Sequence, residues 1–324
     1  MPLTFDLSLE QMKQYQGINP RPSDFDSFWD KGLAEMRALD SQVELIQANF
    51  QAPNVECFHL YFTGVGGARV HAKLLRPMNV SIPHPAVLLF HGYTGDSGDW
   101  FDKLGYVSAG FTVAALDCRG QAGLSEDRSS VSGNTLHGHI IRGLNDALEG
   151  SPEKLLFRQV FLDTAQLARI VMEMPDVDAN RVGAMGGSQG GALTVACSAL
   201  EPRIKRAAPV YPFLSDYKRV WEMDEAKDAY AELQEYFRHS DPTHELEYSV
   251  FEKLGYIDIQ FLAPCIKAEV MWTIGLMDTV CPPSTQFAAY NKIVSSKTMT
   301  IYPDYGHESL PGINDRIFQY MMAL

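Results

Sequence analysis

Cysteine is scarce and unpaired in this sequence. The five (Cys57, Cys118, Cys197, Cys265 and Cys281) are odd in number, scattered, and form no C-x-x-C pair. That argues against a disulfide framework and is the usage expected of a reduced, cytoplasmic protein. Basic charge is also short: 27 Lys and Arg face 40 Asp and Glu, a formal net charge of −13. Such an excess of acid disfavours nucleic acid and anionic membrane surfaces as partners, and a strongly anionic substrate. No apolar stretch approaches the roughly 20 residues of a membrane span. The segment Met1 to Glu10 lacks a basic n-region and an apolar h-region, so no signal peptide is expected. Repeats, low-complexity tracts and linkers are absent too. What remains is a chain of 324 residues with 46% apolar content, ample for one α/β domain over 1–324.

The most informative run is Gly186-Gly187-Ser188-Gln189-Gly190. It follows the apolar segment Arg181 to Met185 and precedes Gly191-Ala192-Leu193-Thr194-Val195-Ala196. A strand, a sharp turn and a helix place Ser188 at the turn, the G-x-S-x-G nucleophile elbow of an α/β-hydrolase. Glycines are required because the turn is too tight for Cβ atoms beside a strained serine. The serine hydroxyl then stands over a helix N-terminus, whose dipole favours an oxyanion.

In this fold the partners of the serine follow in the order acid, then histidine. The strand Ala268 to Ile274 leads to Gly275-Leu276-Met277-Asp278, and a helix starts at Pro282-Pro283-Ser284. The strand Met299 to Tyr302 leads to Pro303-Asp304-Tyr305-Gly306-His307-Glu308. Asp278 and His307 thus fall at the carboxyl ends of successive strands, where parallel sheets collect function. His307 would take the proton from Ser188, while Asp278 would hold the ring tautomer and stabilise the imidazolium. Asp304 is the rival acid, but it shares a short loop with the histidine and is better placed to cap that turn. Taken singly, an aspartate after a strand is a turn former and a lone histidine is a packing residue. All three in the required order on the required elements are what make the catalytic interpretation win.

An oxyanion hole needs two backbone N–H donors. One is assigned to Gln189, directly after the serine. The other is assigned to Tyr93, in the loop His91-Gly92-Tyr93-Thr94-Gly95 that follows the buried strand Ala86 to Phe90. His91 is expected to brace that loop. Arg119 and Gln121 lie in Arg119-Gly120-Gln121 after the strand Phe111 to Leu116, at the same edge, and are expected to support the site from behind, the planar guanidinium bracing loops by bidentate hydrogen bonds. His137-Gly138-His139 resembles half of a metal site but has no third ligand at a fitting spacing, so neither metal nor cofactor is expected.

Elsewhere, Ser23 is expected to cap a helix with Asp26 as its capping-box partner. Phe25, Phe28, Trp29, Leu33 and Met36 form that helix's apolar stripe. Strands are predicted over 43–50, 55–63 and 68–75, the last two joined at Gly64-Val65-Gly66-Gly67 as a hairpin. A helix over 155–174 carries Val160, Phe161, Leu167, Ile170, Val171 and Met174 as core, with Pro175 at its exit. The alternation gives a doubly wound, mostly parallel sheet with an N-terminal extension. Residues 211–262 interrupt it with a helical insertion between the nucleophile strand and the acid strand. That insertion is either a cap over the site or an excursion that packs on the body.

Arg119-Gly120-Gln121, Gly186 to Gly191 and Gly306-His307-Glu308 together resemble the signature set of carbohydrate esterase family seven, the acetyl xylan esterases that also act as cephalosporin C deacetylases. The stretches Met277 to Ala288 and Tyr302 to Glu308, and the segment Arg21-Pro22-Ser23-Asp24-Phe25, extend the likeness over nearly the whole chain. The resemblance implies an α/β-hydrolase in which Ser188 is nucleophile, Asp278 acid and His307 base, with the amides of Tyr93 and Gln189 as oxyanion hole. It also implies an intracellular, metal-free homohexamer acting on acetylated sugars or small esters. One departure is Ala122 after Gln121, where a further glycine is expected. Cysteine in place of Ser188 would indicate a dienelactone hydrolase, and aspartate a dehalogenase. Prolyl oligopeptidase-like peptidases share the triad order, but the roughly 185 residues ahead of Ser188 are too few for a propeller of several blades. A non-catalytic binding protein on the same scaffold is disfavoured by the intact Ser, Asp and His.

Overall fold

The computed structural model describes residues 5–132 and 138–324. Its strands are β1 (Glu44–Gln47), β2 (Val55–Thr63), β3 (Arg69–Pro77), β4 (His84–Phe90), β5 (Thr112–Leu116), β6 (Val177–Gly187), β7 (Arg206–Val210), β8 (Glu269–Gly275) and β9 (Lys297–Tyr302). Among the described residues they form one nine-stranded sheet in the order β1-β2-β3-β5-β4-β6-β7-β8-β9. The first three strands join the sheet antiparallel. Every pairing from β5 across to β9 is parallel, as the alternation of strands and helices predicts. This is a mixed α/β fold with a mostly parallel centre.

β4 and β5 are continuous apolar runs because the sheet is covered on both faces. Ala86, Leu88 and Phe90 enter one core with Leu167, Val171 and Leu193. Val87 enters the other, with Val113, Phe111 and Ile317. Strand alternation thus divides a run of identical polarity between two layers. Burying one such aliphatic side chain contributes about 1.5–3 kcal/mol. The helix Leu156–Met172 and the helix Gln189–Leu200 lie almost wholly inside the first core.

Local expectations change at the edges. The first long helix runs Phe25–Ala38 and is entered at Asp24, with no side-chain cap. The capping box predicted for Ser23 does not form, because the helix is entered one residue later at Asp24, which leaves Ser23 and Asp26 out of register for it; the Asp26 carboxylate bonds Arg21 at 2.6 Å. The exposed edge strand β1 is shorter than the predicted 43–50, and the helix ending at Met172 stops before Pro175. At the hairpin, Thr63 pairs with Arg69 across a turn in which Gly66 and Gly67 adopt φ of 76° and 78°.

Between β7 and β8 the chain forms the helices Tyr217–Glu222, Ala231–Ser240, Glu247–Leu254 and Ile259–Leu262. Their apolar faces are buried through Leu233, Phe237, Val250, Phe251 and Leu254. The Trp29 indole donates to the Tyr256 carbonyl at 3.0 Å, tying this segment to the N-terminal helix. Asp216 accepts from the amides of Ile18 (3.0 Å) and Asn19 (2.8 Å) and from the Tyr15 hydroxyl (2.7 Å). The N-terminal residues are therefore stitched to the helical segment by a buried carboxylate. No helix among the described residues is long and apolar enough to cross a membrane.

Candidate active site

β6 ends and the helix Gln189–Leu200 begins around a single residue, Ser188, at φ 58° and ψ −119°. The turn is possible only without side chains on its flanks. A Cβ on Gly190 would overlap the Phe90 carbonyl oxygen of β4, and one on Gly186 would stand 2.5 Å from the same oxygen. The serine is held in this strained geometry by its own backbone. Its N–H donates to the Val210 carbonyl at 3.0 Å, and its carbonyl accepts from Ala192 and Phe213, both at 3.1 Å. The amide of Gln189 belongs to the first turn of the helix, whose N–H groups have no acceptor within it.

The structure brings Ser188, His307 and Asp278 into one row. His307 Nε2 stands 3.0 Å from Ser188 Oγ, and Nδ1 stands 2.9 Å from Asp278 Oδ2. Asp278 is fully buried, and its other oxygen accepts from the amides of Val280 (3.0 Å) and Cys281 (2.8 Å). The loops carrying acid and histidine are zipped together beyond the strands, Leu276 N–H donating to Tyr302 and Met277 N–H to Tyr305, each at 3.0 Å. The Tyr211 ring packs on the imidazole, with centroids 4.6 Å apart. Asp304 lies exposed in the turn before His307, which makes its bond to Asp278 instead.

The flanking loops are braced from beneath. Gln121 and Gln189 exchange side-chain amide hydrogen bonds at 2.6 and 3.0 Å, so the residue after the serine is pinned from the Arg119-Gly120-Gln121 loop. Arg119 is buried and grips Asp163 with two bonds, Nε to Oδ2 at 2.5 Å and a terminal nitrogen to Oδ1 at 2.6 Å. Its other terminal nitrogen donates to the Val65 carbonyl at 2.7 Å. Burial pushes the Asp163 carboxyl above its usual range, and the guanidinium offsets part of that. His91 accepts from the Cys118 amide at 3.0 Å and bonds the Gly92 carbonyl at 2.8 Å, while burial holds the ring below the ordinary histidine range. Tyr93 follows in the loop after β4, its ring against Phe213 with centroids 5.4 Å apart. Ala122, the one departure from the expected motif, is not left-handed and donates to the Gly95 carbonyl at 3.2 Å. The close approach falls one residue later, where the Asp117 carboxylate lies against Gly123.

Several of these partners were not marked in the sequence. Asp163 had a signal, an acid at a helical position flanked by Phe161, Leu162 and Leu167. Asp117 directly follows β5 and accepts from the amides of Ser97 (2.7 Å) and Leu124 (2.8 Å) and from His71 Nδ1 (2.6 Å). Burial alone would raise its carboxyl, but the His71 bond and these amides hold it well below the carboxylate range. His71 in turn meets His59 at 2.9 Å.

For metals, ligand atoms of Asp278, Cys281 and His307 lie within 4.8 Å of one another. Burial, with Asp278 adding to it, pushes the Cys281 thiol well above its ordinary range, which disfavours the thiolate a metal needs. An ion there would also take the His307 nitrogens from Ser188 or Asp278. His139 bonds the Gly120 carbonyl at 2.8 Å and approaches the Tyr93 hydroxyl at 3.1 Å. Its proposed partner His137 lies outside the described residues.

Sheet, elbow and hydrogen-bonded row define the class: a hydrolase of the α/β-hydrolase fold. The acetyl xylan esterase (AXE1) family model matches residues 1–324, and the chain belongs to that family of carboxylic ester hydrolases. Among solved structures it resembles acetyl xylan esterase 1 from Thermoanaerobacterium sp., at 56% identity and a TM-score of 0.95, covering 98% of this chain and 99% of that one. The acetyl xylan esterase from Paenibacillus sp. is similar at 32% identity and a TM-score of 0.92, with the same coverage of 98% and 99%. Acetyl esterase Axe7A of Xylanibacter ruminicola is 24% identical over 306 residues, 93% of this chain. The match spans 66% of that longer relative's length.

Replacing Arg119 by Ala strands a buried carboxylate, and breaking such a pair costs about 3–5 kcal/mol. Urea unfolding of Arg119→Ala should show a loss of that size. A loss under about 1 kcal/mol, the range of an exposed pair, would mean the pair does not brace the loop.

Proposed function

We propose that the chain is a serine esterase that removes acetyl groups from O-acetylated xylo-oligosaccharides and from small molecules such as cephalosporin C. The observation that carries this is the hydrogen-bonded row Ser188–His307–Asp278 at the carboxyl edge of the sheet, in a chain of the acetyl xylan esterase family. Ser188 Oγ attacks the acetyl carbonyl carbon while His307 Nε2 takes its proton. Charge developing on the carbonyl oxygen is met by the backbone N–H groups of Gln189 and Tyr93. Collapse expels the sugar oxygen, which receives the proton from His307, and leaves acetyl-Ser188. Water then attacks with His307 again as base, acetate departs, and the serine is regenerated. Asp278 Oδ2 accepts the Nδ1 hydrogen throughout, so Nε2 faces the serine in each half-reaction. Neither metal nor cofactor takes part. The proposed setting is the cytoplasm, and the proposed assembly a homohexamer.

Ser188→Ala and His307→Ala should each lower kcat by roughly 10⁴ to 10⁶ with the fold retained. A fluorophosphonate should label Ser188 alone. Undiminished turnover in Ser188→Ala would end the proposal.

The Tyr93 ring packs on Phe213 and the Tyr211 ring on the His307 imidazole, and a pocket bounded by these rings favours a short acyl group over a long one. With p-nitrophenyl esters, kcat/KM should fall from acetyl through propionyl to butyryl, with octanoyl scarcely cleaved, because steric overfilling costs more than a methylene contributes. A maximum at octanoyl would make this a general carboxylesterase, and preferred cleavage of a peptide amide would make it a peptidase. Sedimentation at micromolar concentration should give a closed oligomer, and a mass of one chain would remove the hexamer.

A further inference from the structure

We infer that Glu232, on the helix Ala231–Ser240, is a positioning residue for the oxyanion hole and acts through the side chain of Tyr93. The inference rests on the esterase reading above and concerns how its second backbone donor is held. Glu232 is 6% exposed, an unusual place for a carboxylate. It lies in the segment between β7 and β8, yet its hydrogen-bond partners among the described residues are on the loops that follow β4 and β5. One oxygen accepts from the Tyr93 hydroxyl. The other accepts from the amides of Ile140 at 2.6 Å and Ile141 at 3.2 Å.

The surroundings are shaped to this carboxylate. Gly138 is left-handed at φ 61°, and a Cβ on it would overlap the Glu232 carboxyl carbon. The chain at 138–141 therefore wraps the acid closely, backbone on one side and Tyr93 on the other. His139 lies edge-on to the Tyr93 ring with centroids 5.4 Å apart. Its Nε2 reaches the Gly120 carbonyl at 2.8 Å, in the same loop whose Gln121 pins Gln189. Both proposed oxyanion donors are thus held by side-chain hydrogen bonds from a common frame: Gln189 through Gln121, and Tyr93 through Glu232.

The loop at 91–95 needs such an anchor. It is neither strand nor helix, and Thr94 next to Tyr93 is itself left-handed at φ 60°. The direction of the Tyr93 N–H follows from the backbone torsions around it, so fixing the far end of the ring restrains the amide. A donor preorganised toward the developing oxyanion acts on the transition state and leaves substrate binding alone.

The test pairs Tyr93→Phe, which keeps the ring, with Glu232→Gln, which keeps the shape. Turnover of p-nitrophenyl acetate is counted per active serine, titrated to completion with a fluorophosphonate. Each variant should lose roughly 10- to 100-fold in kcat with KM within about twofold of the parent. Affinity for an acetyl-like trifluoromethyl ketone, which presents an oxyanion to the hole, should fall in parallel. The double variant should be no worse than the poorer single one, since Tyr93→Phe removes the hydroxyl and Glu232→Gln replaces the charged acceptor of that same bond by a weaker neutral group. A kcat per titrated site equal to the parent's, or losses that multiply in the double variant, would overturn the inference. A variant that only lowers the titratable fraction would show a structural role and overturn it equally. Ser188→Ala run alongside separates the two levels. Turnover persisting there would defeat the esterase reading, whereas its loss with unchanged Tyr93→Phe and Glu232→Gln would defeat only the role of Glu232.

Discussion

The close approach of Gly190 to the Phe90 carbonyl is the constraint on which the rest of the structure depends. It lets a fully buried helix start directly beneath two central strands, with no residue spent on a loop. Ser188 is left as the only link, and its backbone takes a conformation that costs on the order of 1–3 kcal/mol. Bonds to Val210, Ala192 and Phe213 hold it there. Once the hydroxyl is pinned above the sheet, the histidine and acid loops have one place to meet it. The ladder beyond β8 and β9 brings them there together.

Buried acids perform the remaining positioning. Asp117 joins the loop after β4 to the loop after β5, since one carboxylate accepts from Ser97 and Leu124 as well as from His71. Asp163 holds Arg119 from a core helix, and Asp278 orders both its own loop and the histidine. Each is desolvated, and each is tolerable only because N–H donors or a guanidinium replace the lost water. A strongly acidic composition thus has a use inside the molecule as well as on its surface. Loops at the edge of a parallel sheet lack ladder bonds of their own, and carboxylates with two acceptor oxygens are suited to joining them.

Much of the fold was legible because its signals are local. Uninterrupted apolar runs at β4 and β5 marked strands covered on both faces, and glycines around Ser188 marked a turn with no room for Cβ. The row Ser188, Asp278, His307 was legible from order along the chain, each residue following a recognisable strand. Pairwise choices were less accessible. Ser23 and Asp26 have the spacing of a capping box, but the helix is entered at Asp24, one residue on, and the Asp26 carboxylate bonds Arg21 instead. Nothing near Glu232 in sequence distinguishes it from Glu235, three residues on the same helix. Only the return of 138–141 over its carboxylate does so.

The sequence by itself determined the element pattern, the elbow and the identity of the three residues in the row. These depend on side-chain period, steric exclusion at glycine and chain order, all of which act within a few residues. Tertiary structure decided which carboxylates are buried as braces and how the helical segment meets the loop at Tyr93. Those outcomes turn on hydrogen bonds between residues as far apart as Tyr93 and Glu232, 139 positions in the chain. Such bonds have no local signature, because a carboxylate becomes a brace only where folding removes its water and supplies donors in its place.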